Sequence, residues 1–107
     1  MNPASVPKTD HEGFLRDRSD WNKTVAQQLA DIDDIQLTQA HWQIIDIIRG
    51  YYSSYHISPV ARVLVTLIKR QLGPDKGRSV YLMSLFPGKP AKLVARIAGL
   101  PKPSNCD

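Results

Sequence analysis

The chain has 107 residues, a length that supports one domain (1–107) around a single modest core. Its apolar share of 42% is ordinary for a globular protein, no apolar run approaches the ~20 residues needed to cross a bilayer, and Met1–Lys8 lacks the regions of a signal peptide. The net charge of +4 leaves room for an acidic partner or nucleic acid, whereas a single cysteine excludes an internal disulfide and any multi-cysteine metal site and suits the reducing cytoplasm.

In chain order, residues 1–9 carry two prolines and little to bury, which reads as a mobile lead-in. A turn at Asp10–Leu15 leads to a first helix over 21–32, starting at Trp21 with Val25, Leu29 and Ile32 on one face. Thr38 is the next N-cap, with Leu37 and Trp42 placed as a hydrophobic staple. The helix that follows carries Ile44, Ile45, Ile47, Ile48, Tyr51, Tyr52 and Tyr55, apolar on more than one side, and so should be the central one; Gly50 within it suggests close packing or a kink. Ser58-Pro59 reads as N-cap and first helical residue of a helix over 59–72, stopped by Gly73-Pro74. Ser79 caps a short helix broken by Phe86-Pro87-Gly88, and Pro90 opens the last one, 90–98. The fold class is mainly α: a small orthogonal bundle of about five helices over 10–98, with an arm over 99–107.

The arm is the informative stretch. Gly99 is placed to close the last helix in the left-handed conformation, Leu100 to make the apolar contact of such a cap, and Pro101 to prevent resumption. Pro101, Lys102 and Pro103 then favour a mobile but semi-rigid strut of ~3.1 Å per residue, holding Cys106 ~20 Å out. Nothing apolar surrounds Cys106, so it is the strong nucleophile candidate. Asp107 and the chain's terminal carboxylate should raise its pKa from the ordinary ~8.5, so activation is expected from a partner's site.

Ile97-Ala98-Gly99-Leu100-Pro101-Lys102-Pro103 with Cys106 three residues on, preceded by Tyr81-Leu82-Met83-Ser84-Leu85-Phe86-Pro87, resembles the TusE/DsrC/DsvC family of sulfur-carrier proteins. The resemblance continues through Gly13-Phe14-Leu15, Asp20-Trp21, His41-Trp42 and Ser58-Pro59, and so covers about Asp10 to Cys106. It implies a short N-terminal β-hairpin, against whose first strand Pro3 and Pro7 stand. It also implies persulfide transfer through Cys106, a sulfur version of thiol–disulfide exchange. Members linked to dissimilatory sulfite reductase carry a second cysteine eleven positions earlier. Here that position is Ala95, so the sequence is similar to the single-cysteine, TusE-like branch. That branch takes sulfur from a TusBCD complex, through TusD, and passes it towards the tRNA thiolase MnmA for 2-thiouridine synthesis. The implied protein is a cytoplasmic monomer with no cofactor, which meets nucleic acid only indirectly.

Other constellations carry less. His11, His41 and His56 do not fall on adjacent turns of one helix, so no metal is assigned; His41 suits the start of a helix and His56 the end of one. Residues 59–107 hold nine basic and two acidic side chains, against five and eight before them. Of these bases Arg78, Lys89, Lys92, Arg96 and Lys102 could steer the arm onto acidic partners. A different class of function is a helix-turn-helix built from 59–72 and 79–86, although the second helix lacks Arg, Asn or Gln for base edges. Two further alternatives are an adaptor whose arm is a docking peptide and a DsrC-like paralogue in sulfur oxidation or reduction.

Overall fold

The computed structural model describes residues 7–104; the expectations about Pro3, the rest of residues 1–6 and Cys106 lie outside them. The lead-in read over 1–9 is already ordered at Lys8. Thr9 pairs antiparallel with Leu15 in an isolated bridge, Arg16 N–H donates to the Lys8 carbonyl at 3.1 Å, and Asp10 N–H to that of Phe14 at 2.8 Å. The hairpin is thus one turn, built by Asp10, whose Oδ1 accepts the N–H groups of Glu12 at 2.9 Å and Phe14 at 3.0 Å.

Five α-helices follow: α1 Lys23–Asp31, α2 Gln39–Tyr55, α3 Ala61–Leu72, α4 Ser79–Leu85 and α5 Pro90–Ile97. Trp21 does not start α1. A single 3-10 turn, Arg18–Asp20, precedes it, and the N-cap is Asn22, whose Oδ1 accepts Val25 N–H at 2.8 Å. Ile32, expected on the apolar face, lies past the end of α1 and is 63% exposed. The chain returns to the core at Ile35 and Leu37. There the Gln27 amide donates to the Ile35 carbonyl at 2.9 Å and accepts Leu37 N–H at 3.1 Å.

Thr38 does cap α2. The centre of the bundle, however, is α5, which packs against α1, α2 and α3. Its Ala91, Val94, Ala95 and Ile97 are fully buried, and the small alanines let three neighbours approach. Helix α2 is buried through Ile44, Ile45, Ile47 and Ile48 but turns its last residues outwards, with Tyr55 64% exposed. Gly50 is exposed and nothing stands within 4 Å of a Cβ built on it, so neither close packing nor a contact explains it. Two caps also differ from expectation. Helix α3 is capped by Val60, with Ser58 and Pro59 in the extended chain before it, and α4 by Arg78 rather than Ser79.

Candidate functional site: the root and course of the arm

Helix α5 ends as its sequence requires. Gly99 takes φ +73, its N–H donates to the Arg96 carbonyl at 3.2 Å, and Leu100 N–H reaches back to that of Ala95 at 2.9 Å. These are the paired bonds of a Schellman cap, and Leu100, 5% exposed, supplies the apolar contact. Two orphan carbonyls remain at this helix end, and side chains from elsewhere take both. The Trp21 indole N–H donates to the Ile97 carbonyl at 2.9 Å. The Arg49 guanidinium donates to that of Ala98 at 2.7 Å while stacking 3.7 Å from the centre of the Trp21 ring. The indole lies so close that a Cβ on Gly99 would fall 2.3 Å from it. Position 99 therefore needs glycine for two independent reasons.

Beyond this root, as far as Ser104, the chain does not leave the body. In place of a strut projecting from Pro101, four contacts lay this stretch against the body. Leu100 and Pro103 are buried. The Ser58 hydroxyl donates to the Pro101 carbonyl at 2.6 Å, so the residue expected to cap a helix instead clamps the arm. Lys102 Nζ donates to Glu12 at 3.0 Å. Glu12 also accepts from Lys92 at 2.9 Å, and the two ammonium groups, Lys92 first, hold its carboxyl down at about 2 against an ordinary 4.5. A cleft lined by His56, Ile57, Ser58, Pro101, Lys102 and Ser104 flanks the arm, with Ile57 59% exposed on it. Cys106 follows Ser104 by two residues and lies outside the described residues.

The five bases read as partner-facing separate into two groups. Lys92 and Lys102 meet Glu12, and Arg96 meets Asp33 and the Leu29 carbonyl with its stem against Gly13. Arg78 and Lys89 are exposed. The histidines are dispersed: His11 is 3.9 Å from Glu12, His41 bonds Thr38 and Leu85, and His56 closes α2 in the left-handed conformation at φ +58. The helix-turn-helix alternative fares poorly, since α4 has seven residues and exposes Val80 and Met83 where a recognition helix needs polar readers. Sequence reasoning missed Arg49 and Glu12. The signal for Arg49 was a lone cation among the isoleucines of α2; Glu12 gave none.

A small helical bundle whose last helix hands its chain to a clamped C-terminal segment is the class of protein defined here. The family model described as "DsrC like protein" matches residues 4–106. A Haemophilus influenzae protein named "Sulfurtransferase TusE homolog" is 44% identical, covering 92% of this chain and 91% of its own. The Photorhabdus laumondii "Sulfurtransferase TusE" is 46% identical over 92% of this chain and 89% of its own. Among solved structures, Allochromatium vinosum DsrC superposes with a TM-score of 0.83 at 48% identity, covering 92% of this chain and 88% of that one. The chain belongs to the DsrC-like family.

Proposed function

We propose that this protein is a sulfur carrier, a sulfurtransferase acting through Cys106. The observation that carries the reading is membership of the DsrC-like family across 4–106 in a chain with one cysteine, at Cys106. The Cys106 thiolate attacks the outer sulfur of a donor persulfide, forming Cys106–S–SH and releasing the donor thiolate. An acceptor thiolate then takes that outer sulfur and returns the Cys106 thiolate. No oxidant, metal or cofactor enters the balance. The donor is a TusBCD-like complex acting through its TusD-like subunit, and the acceptor an MnmA-like tRNA thiolase making 2-thiouridine, so nucleic acid is met only through the acceptor. The protein acts as a cytoplasmic monomer; no helix of the described residues is long and apolar enough to cross a membrane.

A role in dissimilatory sulfur metabolism is favoured by the 48% identity to A. vinosum DsrC. Ala95 weighs against it, since the second cysteine that family resemblance places there is missing. The test is intact-protein mass spectrometry after incubation with a persulfide donor. The wild type should gain one sulfur, removable by reductant, and Cys106→Ser should gain none. An equal gain in both, or none in the wild type with its donor complex present, overturns the carrier reading.

A further inference from the structure

Arg62, Lys69, Arg70, Lys76, Arg78 and Lys89 make no ion pair among the described residues, in contrast to Lys92, Arg96 and Lys102. They occupy α3, the loop after it, the start of α4 and the α4–α5 loop. Between those same elements runs an apolar groove, lined by Ala61, Val65, Leu82, Met83 and Pro90, with Lys89 on its edge. Met83 is 44% exposed in it and neighbouring Val80 64% exposed. Lys89 is the cation that lines the groove, and Arg62 and Arg78 are exposed side chains next in sequence to the lining residues Ala61 and Ser79. No carboxylate lines it.

We propose that this groove docks an acidic amphipathic segment of a partner protein, its apolar side chains on Val65, Leu82 and Met83 and its carboxylates towards Arg62, Arg78 and Lys89. Charge complementarity selects the occupant: an apolar floor with an unpaired Lys89 and no carboxylate, between elements that carry further unpaired cations, fits a helix with one apolar and one acidic face. The adaptable thioether of Met83 suits such a floor. Nucleic acid fits less well, because the groove offers no aromatic ring for stacking and no side-chain amide for base edges. The location also matters. Ala61 is three residues beyond Ser58, whose hydroxyl holds the Pro101 carbonyl, so the same stretch of chain carries both the groove and the clamp on the arm. The proposal rests on the carrier reading only in making this partner a sulfur donor or acceptor.

The probe is a short synthetic helix with leucine on one face and glutamate on the other, titrated into the isotope-labelled full chain beside a scrambled peptide. Amide shifts should concentrate at Val65, Leu82, Met83 and Lys89 and weaken with salt. Affinity should fall about tenfold or more in Met83→Glu and in the double variant Arg78→Glu/Lys89→Glu, the latter altering only exposed side chains. An equal response to the scrambled peptide, shifts confined elsewhere, or shifts at these residues with a DNA duplex but not with the peptide overturn the proposal. Loading of Cys106 by a small-molecule persulfide should be unchanged in the double variant. Failure of that loading in the wild type counts against the carrier reading alone, whereas its loss only in the double variant overturns a purely docking role for the groove.

Discussion

At His41, Nδ1 accepts the Thr38 N–H at 3.1 Å and Nε2 lies 3.0 Å from the Leu85 carbonyl, to which it donates in the neutral ring. The imidazole thus joins the start of α2 to the end of α4, with its edge against Phe86. Burial lowers its pKa below the ordinary 6.5, the Leu85 carbonyl opposing in part. The folded state therefore prefers the neutral ring. This contribution is complete above 6.5 and is lost as the pH falls through the lowered folded value. We expect the unfolding temperature of the wild type to drop as the pH falls below 6.5, and His41→Gln to flatten that segment of the profile. Calorimetry across this range checks it, and a flat wild-type profile contradicts it. At this scale the sequence was readable where the cause is local. Gly99, Leu100 and Thr38 behave as their neighbours in the chain dictate. Ser58 misled because a Ser-Pro pair suits an N-cap and an extended segment equally, and the choice was made by Pro101, 43 positions away.

Among the elements, α2 carries the clearest mismatch between residue and role. Gly50 sits mid-helix, exposed, with open space where a Cβ would go. Its cost in helix propensity, about 1 kcal/mol relative to alanine, has no visible offset. Gly50→Ala should stabilise the protein by about that amount and raise the unfolding temperature by ~4–8 °C. Urea titration should show a higher midpoint at unchanged slope; no shift would mean that Gly50 relieves something in the folded state that the structure does not display. Helix existence was legible from apolar spacing, and all five helices begin within two residues of expectation, four of them where Gly, Pro or Thr punctuates the chain. Rank within the bundle was not. Composition favoured α2 as the centre, whereas small residues let α5 take it, and smallness gives no hydropathy signal.

Across the whole molecule part of the uneven charge of the two halves is met internally. Glu12 and Asp33, from the acidic half, meet Lys92, Lys102 and Arg96 from the basic half. Glu12 is the hub, tying the N-terminal turn to α5 and to the arm at once. Its carboxyl, lowered to about 2, stays charged in the folded protein down to about that pH, and the stability it contributes is full above 4.5 and lost as the pH falls through the lowered value. At neutral pH, Glu12→Gln should speed hydrogen exchange at the Lys102 and Ser104 amides several-fold, and added salt should do the same to the wild type. Unchanged exchange in both would show that Ser58 and the burial of Pro103 hold the arm without help. The asymmetry was plain in the sequence, but which charges face inward depends on a turn and a helix meeting 80 residues apart.

The clamp at Pro101, Lys102 and Pro103 acts as a leash. From Ser104 to Cys106 the chain can extend only two residues, or about 7 Å. From Gly99, with the clamp undone, it could extend roughly 23 Å. Ser104 is therefore held beside His56 and Ile57 until something displaces Ser58 and Glu12 from the arm. Under the proposed carrier role, a partner with a shallow pocket is served across the short radius, while a deep one must first undo the tether. The affinity of each partner would then report how much of that tether it has to break.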